Sequence, residues 1–320
     1  MEIENVSKNS VPHVKKNTAQ RYIVRALYIA VLLMVTVYLI FPYLYMLMRS
    51  LMIYDDAAST NPVYFFPHTR ITFQNFIDIF SKKPSNPYLD TSYTYLDYLW
   101  NTVKIALFNI IAVPLSASLC AYSFSRLRWR CRGAVFALMM ASIMIPGSVL
   151  TVPQYVLFAS FGWTESALPL TIPTLFGGGA MNIFLLVQFM RNIPYEMENA
   201  ARIDGGGELY ILTKVVLPMS KPIIVTLVLL IGLSYWNDWL NGLYYVNRDN
   251  LYSIQVLLKK MMDDIEMIKK ASAAGASTMK MPSISIRMAV AVMGALPIMC
   301  VYPFFQKYFV KGIVIGAVKG

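Results

Sequence analysis

Glu198-Asn199-Ala200-Ala201-Arg202-Ile203-Asp204-Gly205, followed after nine more residues by Val215-Val216-Leu217-Pro218, is a polar, small-residue turn between two long apolar segments. Where a membrane-crossing chain needs only a brief connector, residues 191–221 form a segment with acidic, small and turn-forming residues of its own. Ala200 and Ala201 let a second backbone approach closely. Gly205 to Gly207 turn the chain, because glycine tolerates positive φ. Pro218 and Pro222 suit the first turn of a following helix, where a missing N–H costs nothing. An ordinary Gly/Pro-punctuated loop uses the same residues, so the surrounding chain must decide between a connector and a docking segment.

Working outward, composition places the chain in a bilayer. It is 57% hydrophobic and 14% charged, with mean hydropathy +0.52, whereas soluble domains carry about 25% charge. Uncharged runs long enough for a helix of ~20 residues to cross hydrocarbon recur at Ala26–Met48, Ile105–Ser125, Gly133–Thr164, Ser166–Met190 and Met288–Gln306. Pro222–Asn237 is uncharged too and continues past Asp238 as Trp239–Val246. The expected fold is an all-α membrane protein with six transmembrane helices, spanning about 26–48, 100–125, 133–158, 166–190, 220–246 and 286–309. Together, 26–310 make the six-helix domain. A basic leader (1–25) precedes it, external loops cover 51–99 and 247–285, and a tail follows at 311–320.

The first span is too long for a signal-peptide core, and Ser50-Leu51-Met52 offers no small-x-small cleavage site. The net charge of +11 does not point to nucleic acid. Arg126, Arg128, Arg130 and Arg132 cluster between spans two and three, where such residues fix orientation. An inside N-terminus puts five Lys/Arg of the leader, four of this cluster, four of the 191–221 segment and three at the C-terminal end (Lys307, Lys311 and Lys319) on the cytoplasmic side. Both ends and the 191–221 segment are then inside. The three cysteines, Cys120, Cys131 and Cys300, read as reduced and inert.

The 51–99 loop is rich in aromatics and prolines and reads as a small folded cap. In 247–285, Leu251, Ile254, Leu258, Met261, Ile265 and Ile268 recur every three to four residues, as in an amphipathic helix lying on the membrane or on a partner. The small-residue run Ala271–Thr278 follows, as a finger or a linker. No P-loop, H-E-x-x-H or C-x-x-C occurs, and the two histidines, His13 and His68, lie outside the spans. Neither an enzyme nor a metal site is expected. Pro146-Gly147, Pro153, Pro169, Pro173 and Gly177-Gly178-Gly179 would interrupt spans three and four, as transport pathways require. The fifth span carries Tyr235-Trp236-Asn237-Asp238-Trp239-Leu240-Asn241. Aromatic faces stack on sugar rings, Asn and Asp bond hydroxyls, and a carboxylate deep in a membrane costs ~2.5–3.5 kcal/mol. An aromatic belt at the outer interface would use similar residues. Tyr235, Asn237, Asp238 and Asn241 are the candidate substrate-pathway residues, with Asn237 and Asn241 as an i, i+4 pair facing a cavity and Trp236 packed outward.

The spacing of Ala200-Ala201, Gly205 and Val-x-Leu-Pro resembles the cytoplasmic coupling loop of ABC-importer permeases. The family usually has Glu where Asn199 stands; here the acid is at Glu198. The ending Ala295-Leu296-Pro297-Ile298, Tyr302-Pro303-Phe304-Phe305-Gln306-Lys307-Tyr308-Phe309-Val310-Lys311-Gly312 and Gly316-Ala317-Val318-Lys319-Gly320 is similar to carbohydrate-uptake permeases of the maltose-transporter type. Trp236-Asn237-Asp238 resembles them as well, nearest the branch for complex oligosaccharides and polysaccharides. The resemblance implies a type I ABC importer permease in a bacterial cytoplasmic membrane. It implies ATPase coupling through Glu198, Asn199, Ala200, Ala201, Asp204, Gly205 and Leu217, and a tail (Gly316, Ala317, Val318, Lys319, Gly320) reaching two cytoplasmic ATPase subunits. The implied partners are those ATPases, which bind Mg-ATP, a second related permease, an external solute-binding lipoprotein and an oligosaccharide. The rivals are a permease for a non-sugar solute, a stand-alone secondary transporter, or a structural subunit without a pathway.

Overall fold

The computed structural model describes residues 18–52, 71–81, 93–273 and 284–317. Every regular element among them is helical. The helices are α1 (Thr18–Ser50), α2 (Gln74–Ser81), α3 (Tyr95–Ser125), α4 (Arg132–Ser142), α5 (Gly147–Ser160), α6 (Ala180–Arg191) and α7 (Tyr195–Ile203). They continue with α8 (Glu208–Met219), α9 (Lys221–Trp236), α10 (Leu240–Tyr245), α11 (Ile254–Ala273) and α12 (Ile284–Ala317). Four stretches among the described residues are long and apolar enough to cross a bilayer: Tyr22–Ser50, Tyr95–Ser125, Leu168–Arg191 and Ile284–Val301. The bent pairs α4–α5 and α8–α9 bring the number to six if each is one crossing. The leader before Thr18, most of the 51–99 loop, the run beyond Ala273, and Val318, Lys319 and Gly320 lie outside the described residues.

α3 is the central helix. Tyr95, Tyr98, Thr102, Ile105, Asn109, Val113, Ala117 and Ala121 form a buried stripe at three- and four-residue spacing. At its start, the Asp97 carboxylate accepts the Thr94 N–H at 2.7 Å, half of a capping box that also sets an acid at the positive helix end. The first half of the stripe packs with Ile79 of α2, Ile254 and Leu257 of α11, and Val290 of α12. The second half packs with Leu186 and Met190 of α6, and with Leu227 and Ile231 of α9. Burial alone gains little between helices in lipid, so close contact matters more; Ala117 and Ala121, both fully buried, allow it against α6.

Three of the expected spans are broken. Span three bends by 100° between α4 and α5, at the Pro146-Gly147 step; Pro153 stays within α5. Span four is α-helical only from Ala180. Before it run tight turns at Leu168–Leu170 and Ile172–Phe176, then Gly177, Gly178 and Gly179 at φ +89°, +59° and +106°. Span five stops at Trp236 and restarts at Leu240. Freed backbone groups inside a membrane protein must find partners, and α3 supplies them. Asn109 Nδ2 donates to the Leu170 carbonyl at 3.1 Å, and Ser116 Oγ accepts the Gly177 N–H at 3.2 Å. Outside the broken spans, Asn101 Nδ2 donates to the Asn250 carbonyl at 2.6 Å, and Thr102 Oγ1 accepts the Ile254 N–H at 2.9 Å.

Two expectations change. The amphipathic segment is helical, as α11, and part of its apolar face is taken up within the chain: Ile254, Val256, Leu257 and Met261 are buried against α3 and α12. The last helix runs on to Ala317, beyond the expected end near 309. Between α1 and α3, α2 is tied down by Asn75, whose Nδ2 donates to the Ser50 and Met52 carbonyls at 2.8 and 2.9 Å. This satisfies buried carbonyls at the C-terminal end of α1.

Gly178 yields the first prediction. A Cβ there would stand 2.2 Å from Val113 Cγ1 on α3, in a left-handed conformation. Overpacking costs about 1–3 kcal/mol and the wrong-handed backbone about 1–2 more. Gly178→Ala is expected to lower the melting temperature of the purified assembly, while Gly133→Ala, with open space around it, leaves it unchanged.

Candidate functional site

The breaks in spans four and five wall one cavity of about 270 Å³, with α5 of the bent third span closing its side. Gln154 and Phe158 of α5 contribute, with Pro169, Leu170, Pro173, Thr174, Gly178 and Gly179 from the turns and Tyr235, Asp238, Asn241 and Tyr245 from the α9–α10 break. Its lining is mixed. Tyr245 donates its hydroxyl to Gln154 Oε1 at 2.8 Å, and its ring meets Phe158 edge-on at 5.2 Å between centroids. Asp238 accepts the Asn241 N–H at 3.1 Å and the Asn241 side-chain amide at 2.9 Å, so the carboxylate also caps α10.

Of the four expected pathway residues, Tyr235, Asp238 and Asn241 meet at this cavity. Asn237 does not line it. The i, i+4 pairing of Asn237 with Asn241 needs one continuous helix, and the helix ends between them. Asn237 is exposed and its Nδ2 returns to the Leu233 carbonyl at 2.9 Å, closing the last turn of α9. Trp236 faces away, donating its indole N–H to the Gly294 carbonyl of α12 at 2.8 Å beside an apolar groove. Gln154, Phe158 and Tyr245 were not among the expected residues. Gln154 did carry a signal: it is the one amide in an otherwise uncharged run, next to Pro153.

At the far end of α3 lies the 191–221 segment. Pro194 in extended conformation starts α7. Its end is a Schellman turn: Gly206 N–H reaches the Ala201 carbonyl at 2.8 Å, Gly205 N–H reaches Arg202 at 3.1 Å, and Gly205 has φ +82°. A Cβ on Gly206 would lie 2.8 Å from that same Ala201 oxygen. Asn199, Ala200, Asp204 and Gly205 face outward, with Ile203 85% and Leu209 72% exposed. Ala201 is buried and Leu217, within α8, is half-buried against the core. α8 itself contains a widened turn over Ile211–Val216, a feature frequent at functional sites.

Glu198 points inward. Its carboxylate meets Arg126 Nε at 2.8 Å, both side chains almost wholly buried. Burial pushes the Glu198 carboxyl up from its ordinary value, and Arg126 and then Arg202 pull it back. Arg126 stands at the C-terminal end of α3; its Nη2 donates to the carbonyls of Met190 and, at 2.7 Å, Ile193, and its guanidinium lies 4.4 Å from the Tyr195 ring centroid. One turn earlier, the Tyr122 hydroxyl donates to Glu208 at 2.6 Å, and Arg202 pairs with the same carboxylate at 2.6 Å. These two bonds hold the Glu208 carboxyl below its usual range. The expectation that Arg126 serves only to orient the chain thus misses its contact with Glu198, 72 positions away.

Residues 112–315 match the family described as binding-protein-dependent transport system inner membrane component. The polygalacturonan/rhamnogalacturonan transport system permease protein YtcP of Bacillus subtilis is 32% identical, over 76% of this chain and 87% of the relative. The arabinooligosaccharides transport system permease protein AraQ of Halalkalibacterium halodurans is 25% identical over 88% and 91%. A chain in the crystal structure of a bacterial ABC transporter that imports the acidic polysaccharide alginate shares the fold, with TM-score 0.72 and 23% identity, over 93% of this chain and 99% of that one. With the match running from mid-α3 into the last helix, the chain belongs to the family of binding-protein-dependent transport system inner membrane components.

Proposed function

We propose that this chain is a six-span permease subunit of an ATP-driven importer and that it passes an oligosaccharide handed over by an external solute-binding protein. Both termini lie inside, and α7 is the coupling helix that docks on a cytoplasmic ATPase carrying Mg-ATP. A second permease completes the pathway, and the tail from Gly312 reaches the ATPases. The carrying observation is an outward-facing α7 with small residues and exposed Ile203, held on the same helix that shores up the cavity wall. The oligosaccharide reading is supported by relatives named for polygalacturonan/rhamnogalacturonan and arabinooligosaccharide transport and by a cavity of mixed aromatic and amide lining with room for a single ring.

Ala200→Trp tests the docking. The side chain is exposed, so folding and assembly should persist, while binding-protein-stimulated ATPase activity in proteoliposomes falls about tenfold. Wild-type stimulation would sink the docking role. Gly205→Pro is a poorer probe, because proline cannot adopt φ +82° and the Schellman turn itself would go.

A further inference from the structure

We propose that the last turn of α3 is the receiver of α7 motion, with Tyr122 and Arg126 as positioning residues that link the ATPase-docking helix to the cavity wall. The two lie four residues apart, so they share one face of α3. Each grips one side of the docking segment: Arg126 holds Glu198 within α7, and Tyr122 holds Glu208 at the start of α8. The Arg126 guanidinium also gathers the Met190 and Ile193 carbonyls, so the ends of α3 and α6 and the start of α7 meet at one buried cation. Arginine suits this because a planar guanidinium serves several acceptors at fixed angles, which an ammonium does not.

The middle of α3 holds the broken fourth span. Asn109 bonds the Leu170 carbonyl and Ser116 bonds Gly177 N–H, and Leu170 and Gly178 line the cavity. α3 is a single helix from Tyr95 to Ser125 despite Pro114. A displacement of α7 thus acts on α3 directly through Arg126–Glu198 and, because Arg202 of α7 pairs with Glu208, through Tyr122 as well; α3 acts on the turns that wall the cavity through two more bonds. A grip that served stability alone would be replaceable, because well-packed apolar pairs often match a buried ion pair in stability.

The proposal rests on α7 being the ATPase-docking helix. The test measures sugar transported per ATP hydrolysed in proteoliposomes holding the complete importer, with binding protein and sugar outside. Tyr122→Phe keeps the ring and removes only the hydroxyl that bonds Glu208; the ratio should fall about tenfold, the scale of a lost hydrogen bond to a charged group, with normal complex yield. Arg126→Met combined with Glu198→Leu removes the unpaired buried charge, so it should assemble at a yield well above that of Arg126→Met alone yet show a ratio lowered tenfold or more. A wild-type ratio in Tyr122→Phe overturns the proposal, whatever the double variant does. A double variant with a wild-type ratio, or one that cannot assemble, overturns the part given to Arg126. Ala200→Trp separates the levels: if it also leaves coupling intact, docking through α7 is wrong. If it uncouples while Tyr122→Phe does not, only the α3 link is wrong.

Discussion

Arg126→Met alone is expected to reduce the yield of assembled complex tenfold or more. The substitution leaves the Glu198 carboxylate buried without its cation and strips donors from the Met190 and Ile193 carbonyls. Breaking one side of a buried ion pair costs about 3–5 kcal/mol, far more than an exposed pair is worth. The contrast within the same segment is the check: Arg202 pairs with Glu208 with both side chains nearly half exposed, so Arg202→Met should leave yield within twofold. Copurification of the ATPase subunits with a tagged permease reads both. Equal yields for the two variants would contradict a structural weight on the buried pair.

Asp238→Ala combined with Asn241→Ala is expected to lower oligosaccharide uptake by tenfold or more with complex yield near wild type. The pair presents a carboxylate and an amide at the cavity, and each lost hydrogen bond of this kind is worth about 1–3 kcal/mol. Removing the cap of a six-residue helix costs about 1 kcal/mol, too little to dissolve the assembly. Asn237→Ala should leave uptake unchanged, because that side chain closes its own helix and does not line the cavity. An effect of Asn237→Ala equal to that of the double variant would move the contact surface away from the Asp238 side.

How much of this was legible depends on the range of the interaction. Uncharged runs, Pro146-Gly147, Pro169, Pro173 and the glycine triplet are local, and they mark the breaks in spans three and four. The break after Trp236 has no proline or glycine at it, which is why a continuous helix through Asn241 was expected. Helical periodicity found α11 but could not say what covers its apolar face, since that depends on α3 and α12. Arg126 and Glu198 are 72 positions apart, and four arginines in seven residues read locally as an orientation signal. Only the packing of α6 against α3 brings one of them to the inward side of α7. The exchange of Glu for Asn199 also takes on meaning there: Glu198 does not stand in for an outward acid, because it is buried on Arg126.

Energised uptake in the complete importer tests the central claim. Proteoliposomes holding both permeases and the ATPase subunits, loaded with Mg-ATP and given binding protein and labelled oligosaccharide outside, should accumulate sugar. Accumulation should stop when ATP, binding protein or this subunit is omitted, and an imposed proton or sodium gradient should not replace ATP. Gradient-driven uptake by this chain without ATPase subunits would instead make it a secondary transporter and contradict the coupling role of α7.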